Sequence, residues 1–133
     1  MLIYLDTNIV IYAVENPAIL GPKAGARLKA AAVAGDPLAV SDLVRLECRC
    51  RPLTLGDARL LADYDVFFSH PALRRAPFPT AVFDRATEIR ARHGFKLGDS
   101  LHLAAAVEVG CGRFLTNDAG LSRFPDLTVE VLS

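Results

Sequence analysis

The chain has 133 residues, of which 52% are hydrophobic, and its 15 basic and 15 acidic residues give a formal net charge of zero. That length predicts one domain spanning residues 1–133, with enough apolar side chains for one core. A balanced charge excludes a protein that gathers nucleic acid or membrane through its overall field. The N-terminus has no basic leader, and Asp6 and Asn8 interrupt its apolar run, so we expect a cytoplasmic protein with no membrane anchor.

The first third of the chain alternates strand and helix signals. A β-prone apolar run over residues 2–5 stops at Asp6, and a helical pattern follows it until Pro17. An Ala-rich pattern predicts a second helix over residues 20–34. Residues 38–40 are apolar and short enough to form a second buried strand.

The middle of the chain begins with a clear helix and then becomes harder to divide. Ser41 is a suitable N-cap, so Glu47 is expected to lie at least one turn inside a helix that Pro52 ends. Thr54 is a suitable cap for the next helix. The third strand is expected in the proline-punctuated stretch over residues 66–79.

The last third contains two more helices and two strands. Thr80 is predicted to cap a helix that runs up to Gly94, and residues 96–98 are predicted to break the chain before Asp99 opens the next helix. That helix is predicted to end at Gly110. Later segments predict a strand over residues 114–116, a brief helical turn after Asp118 and an edge strand over residues 127–132.

This alternation predicts an α/β fold with a parallel sheet covered by helices on both faces. Ligands of such sheets bind beyond the carboxyl ends of the strands. Asp6 and Asp118 follow predicted strands, and Asp99 begins a predicted helix, so these three acids can reach one crevice. Glu47 joins them if its helix turns inward.

Neighbouring carboxylates repel, so a cation is expected between them. There is no cluster of His or Cys, and Cys48, Cys50 and Cys111 are expected to be reduced and inert. Oxygen-only ligation suits Mg²⁺ or Mn²⁺, and a pair of such ions about 3.5–4 Å apart can support phosphodiester cleavage. The alternative is that each acid caps a helix, which explains Asp99 and Asp118 but not Asp6 together with Glu47.

Four motifs follow one another along the chain: Leu5-Asp6-Thr7-Asn8, Ser41 followed by Glu47, Asp99-Ser100-Leu101-His102 and Thr116-Asn117-Asp118. Together they resemble the PIN-domain ribonucleases of the VapC toxin type, and the resemblance spans nearly the whole chain. The resemblance implies a three-layer α/β/α fold with about five parallel strands. It also implies a Mg²⁺- or Mn²⁺-dependent ribonuclease, a homodimer and regulation by a cognate VapB-type antitoxin.

Carried over by residue, the resemblance implies that the metal-binding and catalytic acids are Asp6, Glu47, Asp99 and Asp118. Supporting contacts would come from Thr7, Asn8, Ser41 and Thr116. Relatives often carry a further acid followed by Phe after the last motif, whereas Gly120 and Leu121 stand here. The number of ions, one or two, is therefore open.

Other residues are assigned structural roles. His102 lies on the same helical face as Asp99 and could touch a phosphate or a metal-bound water, but packing is the favoured interpretation. Asp42 is interpreted as a first-turn acid that interacts with its helix dipole. The arginines near Glu47 and in the later elements could line an RNA path, but solvated surface is favoured for each: Arg45, Arg49, Arg51, Arg74, Arg75, Arg90 and Arg92, with Lys96.

Two segments contain more apolar side chains than one small core requires. This suggests a surface for self-association or for a partner, although core burial is favoured. Their side chains are Leu43, Val44, Leu46, Val66, Phe67 and Phe68. Two other functions stay open: a PIN-like RNA- or protein-binding module with weak or no catalysis, and a housekeeping RNA-processing nuclease. A receiver-like phospho-acceptor domain fits less well, because the paired acids after the first strand and the late Lys are missing.

Overall fold

The computed structural model describes all residues from 1 to 133. Its strands are β1 (Ile3–Leu5), β2 (Leu38–Ser41), β3 (Arg74–Ala76), β4 (Arg113–Thr116) and β5 (Thr128–Val131). Its helices are α1 (Thr7–Glu15), α2 (Leu20–Ala34), α3 (Asp42–Leu55), α4 (Ala58–Phe68), α5 (Thr80–His93) and α6 (Leu97–Val109), with a 3₁₀ helix over Ala119–Arg123. Every helix is too short or too polar to span a bilayer.

The five strands form one all-parallel sheet in the order β3-β2-β1-β4-β5. β1 is central and all three of its residues are buried, with Tyr4 opposite Ala39 in β2 and Phe114 in β4. The chain moves from β1 to β2 and β3 on one side and places β4 and β5 on the other. The carboxyl ends of β1 and β4 therefore flank the point where the strand order reverses, which is the usual binding crevice of such sheets.

The six helices flank this sheet and complete the predicted three-layer α/β/α arrangement. α1 packs against α2, α3 and α4, and α5 packs against α6. A cluster of 28 buried hydrophobic residues fills the space between the layers. At the edge formed by β4 and β5, Glu130 accepts hydrogen bonds from Arg27 of α2 (2.6 and 3.1 Å) and from Arg113 (2.9 Å), which ties a helix to the end of the sheet.

The predicted end of the third helix is wrong. α3 continues through Pro52 to Leu55, and Gly56 ends it in the left-handed conformation with φ 67°. Pro52 lacks an N–H and removes one helical hydrogen bond, but its ring is buried in the core and the helix continues. Thr54 consequently caps nothing and donates to the Cys50 carbonyl (2.8 Å), while Asp57 caps α4 by accepting from the Leu60 N–H (3.0 Å).

The last helix also begins earlier than predicted. Leu97 and Gly98 are helical rather than a break, and Asp99 is the third residue of α6, still within its first turn. A glycine costs a helix only about 1 kcal/mol relative to alanine, which the packing of α6 against α5 offsets. Thr80 is the first residue of α5 and not its cap, because Pro79 occupies the cap position.

The remaining elements follow the sequence closely. α2 has the predicted bounds, β3 lies inside the predicted stretch, and β5 is an edge strand. In the two apolar-rich segments, Val44 and Phe68 are buried, whereas Leu46 is 62% exposed on α3 and Val66 is 75% exposed on α4. Part of the apolar excess thus faces solvent.

Candidate active site

Asp6 is the most buried of the predicted acids. It follows β1 directly, and its N–H donates to the Leu115 carbonyl of β4 (2.9 Å). One carboxylate oxygen accepts from the Thr7 N–H (2.8 Å), which caps α1, and the other accepts from the Thr116 hydroxyl (2.7 Å). The residue is only 6% exposed. Asp6 is therefore fixed at the crevice by both central strands.

Thr116 links Asp6 to Asp118. Its fully buried hydroxyl donates to Asp6 and accepts from the Asp118 N–H (3.0 Å), and the Asn8 amide lies 3.5 Å away. The Asp118 carboxylate accepts from the Gly120 N–H (2.9 Å) and caps the 3₁₀ helix. Capping thus explains one hydrogen bond of Asp118. Its carboxylate is exposed and has other lone pairs that accept no hydrogen bond from the protein.

Asp99 shares its electrostatic environment with two of the other acids. Burial raises the pKa of Asp99, and the negative charges of Asp6 and Asp118 raise it further, while His102 and Lys96 oppose the shift. Each acid comes from a different segment, after β1, after β4 and in the first turn of α6. The fold therefore brings three acids from distant parts of the sequence within electrostatic range of one another.

Glu47 reaches the crevice from the second turn of α3. Its Oε1 accepts from the Thr7 hydroxyl (2.8 Å) and from His102 Nε2 (2.5 Å). Burial alone would raise the pKa of Glu47, but the hydrogen bonds from His102 and Thr7 lower it below the usual value. Glu47 is thus held as a carboxylate beside the residue that follows Asp6.

A buried polar row beneath Glu47 consists of Tyr4, Ser41 and His102. The Tyr4 hydroxyl is 2.8 Å from Ser41 Oγ and 2.8 Å from His102 Nδ1, and all three residues are at most 2% exposed. The Tyr4 ring stacks on Phe114, with ring centroids 5.3 Å apart. Burial raises the pKa of the Tyr4 phenol, although the Ser41 hydrogen bond opposes it, so the hydroxyl stays protonated.

The roles of His102 and Tyr4 differ from what the sequence predicts. His102 is buried, as the packing interpretation predicts, but both of its ring nitrogens have polar partners, which packing does not require. Tyr4 was not predicted to contribute. The available signal was one phenol in the apolar segment Leu2-Ile3-Tyr4-Leu5, because a buried tyrosine hydroxyl nearly always needs a partner.

The donor set fits a hard divalent cation. Every acid named above offers oxygen, and no group of three His, Cys, Asp or Glu side chains lies close enough for all three to ligate one ion directly. Mg²⁺ commonly binds through one or two carboxylates and keeps several waters, so this spacing is compatible with a hydrated ion. It does not suit Zn²⁺, which requires a compact set of nitrogen or sulfur ligands.

Most arginines near the site already have acidic partners. Arg49 donates to Asp65 (2.9 Å), Arg51 lies 3.8 Å from Glu15, and Arg75 lies 3.4 Å from Asp42. Lys96 forms no ion pair and immediately precedes α6, three residues before Asp99. It is close enough to Asp99 to oppose the rise in the pKa of that residue.

The sequence matches the family described as the PIN domain over residues 3–127. Among solved structures, it is similar to a chain of VapBC2 from Rickettsia felis bound to a promoter DNA fragment, with 21% identity, a TM-score of 0.83 and 100% coverage of both chains. It is also similar to DNA-bound VapBC from Salmonella typhimurium, with 22% identity, a TM-score of 0.75 and 98% coverage of each chain. A third similar structure is FitAcB from Neisseria gonorrhoeae, with 17% identity, a TM-score of 0.67 and coverage of 96% of this chain and 95% of that one. A search of curated proteins gave no significant match.

Proposed function

Because the chain belongs to the PIN-domain family, a family of nucleases, we propose that it is a metal-dependent endoribonuclease and the toxin of a toxin–antitoxin pair. The observation that carries this proposal is that the negative charges of Asp6 and Asp118, after burial, raise the pKa of Asp99. Three carboxylates held together at a strand-reversal crevice, with no cationic side chain paired to them, are typical of a metal-dependent site.

We assign Asp6, Asp99, Asp118 and Glu47 to hold one or two Mg²⁺ or Mn²⁺ ions, partly through waters. When bound, the ion supplies positive charge against the scissile phosphate and favours ionisation of water. Thr116 and the Thr7 N–H orient Asp6, so its carboxylate needs little rearrangement on binding. Glu47 Oε2 accepts no hydrogen bond from the protein and is the oxygen available to an ion or to a water bound to it.

The supporting shell consists of Thr7, Asn8, Ser41 and Thr116. Thr7 hydrogen-bonds Glu47, and Thr116 joins Asp6 to Asp118. Asn8 accepts from the Asn117 N–H (3.2 Å), which fixes the turn after β4. Ser41 acts indirectly, through Tyr4. These contacts support the assignment of the acids, because polar groups around metal ligands usually orient them.

The proposed partner is a cognate antitoxin of the VapB type. The similar solved structures include one described as a toxin–antitoxin complex from Klebsiella pneumoniae, with 18% identity, a TM-score of 0.68 and 94% coverage of each chain. Exposed apolar side chains on α3 and α4, including Leu46, Leu53 and Val66, offer surface for such a partner or for a homodimer. We place both proteins in the cytoplasm, with the RNA.

The neighbouring gene tests this partner. A short adjacent reading frame should encode a protein that co-purifies with this chain and suppresses its RNA cleavage. If no such frame is present, a housekeeping RNA-processing nuclease becomes the better interpretation. If the product neither binds nor inhibits, the toxin assignment fails while the nuclease assignment stands.

Cleavage assays test the catalytic acids. With Mg²⁺ or Mn²⁺ the protein should cut end-labelled single-stranded RNA, and EDTA should stop it. D6N and D99N should each reduce the rate about a hundredfold or more, because metal-assisted catalysis contributes several kcal/mol and each 1.4 kcal/mol is about tenfold. D42N is the matched control, since Asp42 lies in the first turn of α3 and pairs with Arg75. Equal activity in D6N, D99N and D42N would contradict the mechanism.

The second candidate, a binding module without catalysis, is favoured by one observation. No three potential ligands are clustered tightly enough for direct ligation of a single ion. Calorimetric titration with Mn²⁺ separates the two candidates. Binding in the micromolar to millimolar range supports the enzyme, whereas RNA binding without any Mn²⁺ binding supports the module.

A further inference from the structure

Glu47 differs from the other proposed ligands in how it is held. The Asp6 side chain is buried at a strand end, whereas the Glu47 side chain is longer, lies on a helix and is 37% exposed. Such a side chain ordinarily samples several rotamers, and ordering it for ligation would weaken metal binding. Here both protein hydrogen bonds converge on Oε1, from Thr7 and from His102.

The other carboxylate oxygen of Glu47 is left without a protein partner on the side of α6. Glu47 Oε2 accepts no hydrogen bond from the protein and faces the first turn of α6, where a methyl group placed on Gly98 would lie 3.5 Å from it. Asp99 is the next residue of that turn. One oxygen of Glu47 is therefore anchored, and the other lies near Gly98, the residue before Asp99.

Each polar hydrogen atom of the buried polar row can be assigned to an acceptor. The Val44 N–H donates to Ser41 Oγ (3.3 Å), which is the N-cap bond of α3. If Ser41 then donates to the Tyr4 oxygen and Tyr4 donates to His102 Nδ1, the remaining ring proton sits on Nε2 and donates to Glu47 Oε1. Every buried donor then has an acceptor.

The opposite direction leaves a hydrogen atom without a partner. A proton on His102 Nδ1 would require Tyr4 to accept it and to donate to Ser41. Ser41 is 1% exposed and has no further acceptor, so its own hydroxyl hydrogen would be buried and unpaired. A buried unpaired donor is costly, and the protein contains no buried side-chain nitrogen or oxygen atom without a partner.

We propose that Tyr4 and His102 are positioning residues for Glu47: they fix the proton on Nε2, anchor Oε1 and so direct Oε2 toward a divalent cation. This inference rests on the proposed function. It assigns no contact between His102 and substrate. It explains why a phenol and an imidazole occupy the buried centre of the molecule, where packing alone requires only apolar side chains.

Nitrogen NMR of the histidine rings tests the anchoring directly. In metal-free protein at pH 7.5, the His102 ring should carry its proton on Nε2, and its signals are assigned by their absence from H102Q. Tyr4→Phe removes only the hydroxyl and keeps the stacking on Phe114, and it should change the Nδ1 shift of His102. A wild-type ring with a proton on Nδ1 would overturn the inference.

Mn²⁺ calorimetry tests the consequence with a matched pair of variants. The glutamine of H102Q can place an amide N–H near the position of Nε2, whereas the asparagine of H102N reaches only the position of Nδ1. H102N and Y4F should weaken Mn²⁺ binding about tenfold or more, as expected when a group that orients a ligand is lost. H102Q should stay within about threefold of wild type. Y64F is the control, since Tyr64 donates to Glu15 away from the site.

Circular dichroism and urea unfolding establish that the variants are folded. Wild-type affinity in both Y4F and H102N would overturn the inference and leave the proposed function intact. A wild-type protein that binds no Mn²⁺ would instead overturn the proposed function, and the NMR result would still report whether Glu47 is anchored. Equal loss in H102N and H102Q would show that the imidazole is needed for something other than its Nε2 proton, and would also overturn the inference.

Discussion

At the scale of single residues, Asp99 is placed for chemistry at the expense of stability. Its position in the first turn of α6 favours a negative charge by about 0.3–1 kcal/mol through the helix dipole. Burial and the charges of Asp6 and Asp118 nevertheless raise its pKa, so the unfavourable effects win. A carboxyl whose pKa is raised by folding destabilises the protein above its unfolded pKa, and this cost is absent when the group is protonated.

D99N should therefore be more stable than the wild type at pH 7 and lack cleavage activity. Asp99 accepts no hydrogen bond that asparagine would lose. Urea unfolding at pH 7 should show a higher midpoint for D99N with an unchanged slope, and the difference should shrink toward pH 3, where the wild-type carboxyl is protonated. D42N serves as the control and should not gain stability. A lower midpoint for D99N at pH 7 would contradict the electrostatic account.

At this scale the sequence indicates which acids can meet and names Thr7 and Thr116 beside them, but it does not indicate the contact between Tyr4 and His102. Asp6, Asp99 and Asp118 stand beside element boundaries, where turn and cap signals are strong. Tyr4 and His102 form contacts across 98 positions of sequence, and nothing in their immediate neighbours encodes that separation. An apolar strand and an Ala-rich helix each predict burial, and only the tertiary structure supplies the polar partners.

At the scale of elements, local cap chemistry sets where α4 begins. The sequence pattern predicts a helix end at Pro52 and a cap at Thr54, and both predictions are wrong because burial of Pro52 compensates for the hydrogen bond it removes. Gly56 and Asp57 together form the actual boundary. Periodicity and prolines alone could not reveal this, since the outcome depends on whether the proline ring packs.

D57A should lower the free energy of unfolding by about 1 kcal/mol, because it removes the N-cap of α4. The lost contact is the hydrogen bond from the Leu60 N–H to the Asp57 carboxylate (3.0 Å). D63A changes an exposed aspartate inside the same helix and should alter stability by less than about 0.5 kcal/mol. Urea unfolding of both variants checks this expectation. Equal losses in D57A and D63A would rule out a specific capping effect.

At the scale of the whole molecule, the order of strands creates the crevice. Alternating strand and helix signals were sufficient to predict a parallel α/β sheet, and right-handed crossovers restrict its topology. The order of the strands, with its reversal between β1 and β4, was not predicted. β3 is a short edge strand with two exposed residues, and its weak periodicity gave no position for it in the sheet. That reversal is what places Asp6 beside Thr116 and Asp118.

The hydrogen bonds to Glu130 are expected to stabilise the edge of the sheet formed by β4 and β5. The pKa of Glu130 is lowered, first by the hydrogen bond from Arg27 and then by that from Arg113, although burial opposes this. A depressed carboxyl pKa stabilises the fold above the unfolded pKa, and this stability is lost as pH falls through the folded pKa. E130Q should cost about 2 kcal/mol at pH 7, since it weakens charge-assisted hydrogen bonds.

The pH dependence supplies the control for E130Q. The difference in free energy of unfolding between wild type and E130Q should be present at pH 7 and should narrow below about pH 4, as the wild-type carboxyl takes up a proton. Denaturant titrations at pH 7, 5 and 3 measure it. A difference that stays constant across this range would mean that the charge of Glu130 contributes nothing.

The chemical ends of the RNA products test the central claim most directly. Attack by water on the phosphodiester must leave one phosphate monoester and one hydroxyl end, whereas attack by the neighbouring 2′-hydroxyl leaves a 2′,3′-cyclic phosphate. Mass spectrometry of products formed with Mg²⁺ or Mn²⁺ should reveal only monoester and hydroxyl ends, and no products in EDTA or with D6N. Cyclic phosphate ends, or equal cleavage in EDTA, would contradict hydrolysis at the acid-lined crevice by a metal-dependent mechanism.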